Sequence, residues 1–394
     1  MPLSGLATVH LTRSLLAAIV LTTSAACSGA PGQGRTCGEP GQWLSPAKTG
    51  VVAENPVALV ERMAAQQVVL LGEAHDSAED HRWQLHVLAR LHARQPDMAI
   101  GFEMFPRRVQ PVLDQWVAGS LSEQDFLRRA EWDKVWGFDA RDYLPLFHFA
   151  RMNRIPMLAL NVERSLAEAV GKQGWDGVPE SRKEGVSRPA APSPGYLKTL
   201  RSVFDHHPVK QRGEETFPRF VEAQTVWDRA MAQPIADHSK THPGALVVGI
   251  LGAGHVRHGH GVAHQLKDLG VTRVGSLLTW NHADDCAGIV RGLADAVHVV
   301  REPAVNPPRL GVAMESLASG SGSGIRISGI TAGSVAEQAG LKSGDVILEM
   351  AGRPARIDTL RALVQRQPAG TWLPLKIRRG SEELDLVARF PAAP

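Results

Sequence analysis

The sequence predicts an α/β domain built on a largely parallel sheet with flanking helices and a site at the strand C-terminal ends. Three stretches carry this prediction. Val68-Val69-Leu70-Leu71 runs into Gly72-Glu73-Ala74-His75, Met98-Ala99-Ile100 into Gly101-Phe102-Glu103, and the apolar run 245–251 into Gly252-Ala253-Gly254-His255. Each is a short apolar run that stops at a glycine and then at an acid or imidazole, the pattern of a buried strand ending in chemistry. Helical periods lie between them, so the connections are crossovers and the strands run parallel. Parallel strands end along one edge, which brings Glu73, His75, Glu103 and His255 together. Any one of these sites reads equally well as a turn; the repetition favours a shared site.

The N-terminus comes first in chain order. Arg13 precedes the apolar run 15–21, and Thr22-Thr23-Ser24-Ala25-Ala26-Cys27 follows, which reads as a secretory signal peptide over residues 1–26. The small residues before Cys27 resemble a bacterial lipoprotein cleavage box, although Ser24 stands where an aliphatic residue is usual. Lipidation of Cys27 is the expectation, with simple cleavage after Ala26 as the alternative. Residues 27–48, rich in Gly, Pro and Ser, read as a tether. Cys37 and Cys286 then remain, either as one disulfide in an oxidising compartment or as two free thiols. Beyond the N-terminus no apolar run reaches the ~18 residues that span a bilayer. Lys+Arg 43 against Asp+Glu 40 leaves +3 over 394 residues, too balanced to argue for nucleic acid.

After the first motif, Asp76-Ser77-Ala78-Glu79 starts a helix with Trp83, Val87, Leu88 and Leu91 on its inner face. Pro106 opens the next, with Val109, Val112, Leu113, Trp116 and Val117 inward and Gly119 as its stop. A helix over 141–154 leads to a strand over 155–161 that ends at Asn161. Residues 171–195, with Pro179, Pro189, Pro192 and Pro194, read as a mobile insertion or flap. Helices near 196–206 and 217–233 follow, and Gln224 and Asp228 on the second are candidate supports for the site or a solvated flank. Residues 255–264 hold four histidines, suggesting metal or haem at His258, His260 and His264, against the plainer reading of a turn. Val271–Leu278 is the expected last strand, and Asn306-Pro307-Pro308 closes the domain.

Val68–His75, Gly101-Phe102-Glu103-Met104-Phe105, Leu158–Glu163, Ala223–Ala232 and Gly252–Arg257, in this order, resemble the ChaN-like haem-binding uptake family of bacterial lipoproteins. That family is grouped with the Tiki proteases, the TraB proteins and the erythromycin esterase-like enzymes. The resemblance implies one α/β domain over 49–300 with paired Gly-x-x-His motifs at Gly72–His75 and Gly252–His255 and an acid at Glu103. In the ChaN branch it implies haem binding in iron uptake, for which Tyr143, His258 and His260 are the candidate ligands; Tyr196 is the only other tyrosine. In the Tiki branch it implies metal-dependent hydrolysis, with Glu73, His75, Glu103 and His255 as an N/O set for Mn, Zn or Fe and one acid free as general base.

Residues 308–390 resemble an HtrA-type PDZ domain, on Arg309-Leu310-Gly311-Val312, Ile330–Ile347 and Ala351-Gly352-Arg353-Pro354, which sets a domain over 305–394. This implies a small β-rich domain in which Leu310, Gly311 and Val312 offer backbone N–H groups to a protein C-terminus. Two functions follow. One is an exported haem-binding protein serving iron uptake, either anchored through lipid on Cys27 and facing the periplasm or soluble there, with a PDZ domain for partners. The alternative is a metallohydrolase, peptidase-like, fed by the PDZ domain.

Overall fold

The computed structural model describes residues 37–206, 213–301, 308–316, 324–357, 360, 363–364, 367–368 and 370–392. The signal peptide, Cys27 and the Asn306-Pro307 junction lie outside the described residues.

An eight-stranded sheet is formed by β1 (Trp43–Pro46), β2 (Val51–Ala53), β3 (Val68–Glu73), β4 (Met98–Pro106), β5 (Met157–Asn161), β6 (Leu246–Gly252), β7 (Val274–Asn281) and β8 (Ala296–Val300). The order is β2-β1-β8-β7-β3-β6-β4-β5. All pairs from β8 to β5 are parallel, and β1 runs antiparallel to β2 and β8. Alternate residues serve two cores: Val69, Leu71, Ile100, Phe102, Val248 and Ile250 face one side, Val68, Leu70, Val247 and Leu251 the other. Burial on both faces is why these strands read as unbroken apolar runs.

Helices α1 (Pro56–Ala64), α2 (Ala78–Arg94), α3 (Gln110–Val117), α4 (Glu123–Arg129), α5 (Trp132–Val135) and α6 (Ala140–Met152) supply the first core. Ser77 caps α2 as its spacing predicted, its hydroxyl accepting from Asp80 N. Helix α7 (Arg164–Gln173) and α8 (Pro194–His206) precede the long α9 (Phe217–Thr241), then α10 (Ala253–Val256) and α11 (Val262–Asp268); α9, α10 and α11 cover the second face.

Four expectations are corrected. Residues 37–48 are not tether, and residues 27–36 lie outside the described residues: Trp43–Pro46 is a strand with Trp43 and Leu44 buried, and Cys37 is bonded to Cys286. Pro106 closes β4 rather than opening a helix; a 3-10 turn, Arg107–Val109, intervenes before α3. Residues 174–193 are no loose flap, because Trp175, Val178 and Val186 are buried against Val226 and Ala230 of α9. The last strand of the sheet is β8, not the Val271–Leu278 segment.

A second sheet comprises β9 (Val312–Ser316), β10 (Ile325–Ile330), β11 (Val346–Met350), β12 (Arg353–Pro354), β13 (Trp372–Arg379) and β14 (Glu382–Arg389), with α12 (Val335–Gln338) beside it. It is antiparallel throughout, in the order β14-β13-β11-β10-β9, with β12 on β11. Its core runs from Leu310 to Phe390. Buried Asp345 accepts twice from Arg379, at 2.8 Å each, and once from Lys342 N. The pairing satisfies a charge that burial alone would penalise.

Candidate functional site

Strand β6 lies between β3 and β4, so the three motif strands end side by side. Glu73 pairs in register with Gly252, and Gly252 N donates to Glu103 Oε2 at 2.6 Å. The motif glycines make room for each other's motif. A Cβ on Gly72 would lie 3.1 Å from Ala253 Cα and 3.3 Å from Val256 Cβ; one on Gly252 would lie 2.9 Å from His75 Cε1 and Nε2.

Glu73 is a buried hub. Its Oε1 accepts from Tyr143 Oη at 2.7 Å and from His75 Nδ1 at 2.9 Å, and its Oε2 accepts from Gln84 Nε2 at 2.8 Å with the His81 ring 3.3 Å away. Burial pushes this carboxyl up, but His75, His81 and Tyr143 outweigh it and hold it down at about 2. Burial likewise opposes charge on His75, while Glu73 and Glu103 raise its pKa. His255 Nδ1 donates to Asp228 Oδ1 at 2.7 Å, and its Nε2 lies 3.7 Å from Glu103 Oε1. Burial lowers its pKa, Glu103 and Asp228 raise it, and the balance is about 9. Asp228 is fully buried and accepts through Oδ2 from Tyr196 at 2.6 Å.

Above this edge opens a cleft of about 890 Å³. His75 and Glu103 form its floor, Trp136, Phe138 and Trp227 its aromatic walls, and its charged lining mixes Arg108, Lys134 and Arg164 with Glu163 and Glu168, Arg108 being paired with Glu131 and Glu163 and Lys134 with Glu131. The His75 ring meets Trp136 edge-on at 4.7 Å and Phe138 at 5.4 Å. Asn161, the polar end of β5, accepts from Trp227 Nε1 at 2.8 Å and donates to Glu103 O, fixing the wall to the floor.

The structure thus brings Glu73, His75, Glu103 and His255 together, and Asp228 with them. Among the described residues no group of three or more His, Cys, Asp or Glu side chains is arranged to hold an ion. Glu73 is saturated by its donors, Glu103 Oε2 is taken by a backbone N–H, and each Nδ1 is spent on a carboxylate. Tyr143 is corrected as a ligand, since it is fully buried with its hydroxyl committed to Glu73 and His75 O. Burial and the Glu73 charge push its ionisation far above the ordinary phenol range. His258 sits at φ +61° and lines a separate depression with Ser276, Arg291 and Asp295. His260 packs on Gly195 and Tyr196, and His264 Nε2 donates to Ala191 O, so none of the three reaches the cleft.

Trp136, Phe138, Arg108 and Lys134 escaped the sequence reading because they lie on short, irregular elements without a period. His81 and Gln84 were visible in principle, as polar residues on the buried face of α2. In the second sheet, Leu310 O accepts from Ala336 N and Gly311 O from Thr331 N, which holds the loop beside a depression of about 330 Å³ lined by Leu310, Val312, Met314, Leu360 and Val364. Gly311 has φ +83°, and a Cβ there would lie 2.2 Å from Ser334 Cβ.

Residues 59–266 match the family model described as haem-binding uptake, Tiki superfamily, ChaN, and residues 326–379 match the PDZ domain model. Among solved structures the chain is similar to that of ChaN of Campylobacter jejuni, a protein that binds heme cofacially. Identity is 17%, coverage 65% of this chain and 95% of that one, and the TM-score 0.51, a likeness of fold. Its C-terminal part matches the HtrA3 PDZ domain bound to a phage-derived ligand at 24% identity, over 21% of this chain and 82% of that one, TM-score 0.19. It also matches the HtrA-type protease AlgW with decapeptide at 25% identity, over 22% of this chain and 29% of that one, TM-score 0.21. No curated protein matches.

Proposed function

Because the chain belongs to the haem-binding uptake family of the Tiki superfamily that includes ChaN, we propose that the cleft above β3, β6 and β4 takes haem. The observation that carries this reading is the cleft's lining. Flat aromatic walls suit a porphyrin face, and Arg164, with Arg108 and Lys134 if they exchange their Glu163 and Glu131 partners, suits its propionates. A volume of about 890 Å³ lies within the usual span of cofactor sites, roughly 300–1,000 Å³. His75 is the imidazole on the floor; with Nδ1 donating to Glu73, Nε2 is the nitrogen left for iron. When bound, haem supplies the iron cargo or redox centre, and the chain's residues bind, orient and shield it.

The reading extends to the whole protein. Export, lipid on Cys27, a periplasm-facing location and a part in iron uptake fit a haem carrier, and the PDZ domain supplies capture of protein C-termini at Leu310-Gly311-Val312. The test is a hemin titration of the purified protein followed by absorption. His75→Ala is expected to weaken binding by roughly 10–100-fold, the scale of losing a metal site's supports or more, whereas replacing His258 and His260 together leaves it unchanged. The opposite pattern would return the ligand role to the histidine turn, and no Soret shift in the unaltered protein would remove the haem reading.

A further inference from the structure

The two imidazoles of the site are held in the same way. Tyr143 donates to Glu73, which accepts His75 Nδ1; Tyr196 donates to Asp228, which accepts His255 Nδ1. The chain has only two tyrosines, and both end in these arrangements. They arrive from different sides, Tyr143 on α6 within the first core and Tyr196 on α8, which packs against α9. Both carboxylates are buried, Glu73 at 2% and Asp228 at 0% exposure. Glycines keep the space: a Cβ on Gly252 would lie 2.9 Å from His75 Nε2, and one on Gly261 would lie 2.6 Å from Asp228 Oδ1.

An ionised carboxylate only accepts, so each Nδ1 must carry the proton and each Nε2 is the nitrogen left to face outward. His255 Nε2 approaches Glu103 Oε1, and the His75 ring edge lies over Gly252, whose N–H binds the other Glu103 oxygen. We infer that Glu73 and Asp228 are positioning residues that fix His75 and His255 as a matched pair, turning both Nε2 atoms toward Glu103. This rests on the cleft being the ligand site: His75 and Glu103 line it, and His255 stands behind Glu103 and acts on the cleft through it. Glu73 therefore acts through His75 and touches no ligand itself.

The test needs no haem. Histidine side-chain 1H–15N spectra of the full protein, taken at alkaline pH where the rings are neutral, report which nitrogen is protonated. Both rings are expected in the Nδ1–H form. Glu73→Ala should move only His75, and Asp228→Ala only His255, toward the Nε2–H form; Glu73→Gln and Asp228→Asn, which keep an acceptor oxygen, should restore Nδ1–H. Should an alanine variant not fold, Tyr143→Phe and Tyr196→Phe are expected to shift the 15N resonances of their own imidazole alone. A ring that stays Nδ1–H without its carboxylate, or two rings that change together in either variant, overturns the inference. Hemin titration then tests the pairing, with both alanine variants weakened roughly 10–100-fold; loss in Glu73→Ala but not in Asp228→Ala overturns it. Failure of the unaltered protein to bind hemin would sink the haem reading and leave the tautomer result standing.

Discussion

Gly252 has φ −59° and ψ 139°, a backbone any residue can adopt, so its need for glycine is purely one of space. A methyl group there would press on the His75 ring at 2.9 Å and sit 3.5 Å from Glu103 Oε2. Gly252→Ala should lower hemin affinity about tenfold while costing no more than ~1 kcal/mol in denaturant stability, because His75 lies at the cleft surface and can shift; unchanged affinity would mean that the ring's place does not matter. Titration gives a second prediction. Glu73 falls from 4.5 to about 2 on folding, so its contribution is present above 4.5 and is lost as pH drops through 2. His255 rises from 6.5 to about 9, so its contribution is present below 6.5 and is lost as pH climbs through 9. Denaturant midpoints should therefore be highest between these windows, and the unfolding free energy should decline on the alkaline side by an amount on the order of 3 kcal/mol. Asp228→Asn should flatten that alkaline decline, and a midpoint that rises from about pH 6.5 to pH 9 would refute the assignment. Glu73, His75, Glu103 and His255 were legible in the sequence because strand, glycine and polar residue form a local signal. The true part of Tyr143 was not: its sequence shows a tyrosine on a helix, and only the fold shows Glu73 waiting for its hydroxyl.

At the scale of elements, alternation between strand and helix was readable wherever both faces of a strand are buried, as in β3, β4 and β6. It failed at β1 and β8, which lie toward the antiparallel edge of the sheet, where Gly/Pro-rich flanks and the half-exposed His298 dilute the apolar run. The insertion 174–193 failed for a related reason. Its prolines suggested a loose loop, yet Trp175, Val178 and Val186 give it a small core on α9, and Arg107 clamps it by donating to Glu184 O. The disulfide between Cys37 and Cys286 joins residues 249 apart and ties the entry of β1 to the turn between β7 and β8. A cross-link closing so long a loop chiefly restricts the unfolded chain, and typical values are about 2–4 kcal/mol. Replacing both cysteines with alanine, or reducing the bond, should lower the unfolding free energy by that much and speed hydrogen exchange in β1 and β2 before the central strands. Equal stability with and without the bond would show that the edge is held by its packing alone.

The whole molecule carries two sheets with separate cores, one set built from residues 37–299 and the other from Leu310 to Phe390. No core cluster draws on both ranges among the described residues, which is what separately folding units require. In the second unit the loop at Leu310-Gly311-Val312 lies at one end of an apolar depression whose walls include Met314, Leu360 and Val364. A peptide adding a strand there would place its last side chain among these residues and its carboxylate at the loop, so apolar chain ends should bind best, and amidating the peptide's C-terminus should abolish the interaction. Removing residues 305–394 is therefore expected to leave the first unit folded, with hemin affinity unchanged, while capture of C-terminal peptides is lost. Calorimetry on the full and shortened proteins would read both: two transitions in the first and the matching single transition in the second. If the shortened protein instead melts far lower or no longer takes hemin, the PDZ domain belongs to the architecture of the cleft, and the division into a binding unit and a recruiting unit is wrong.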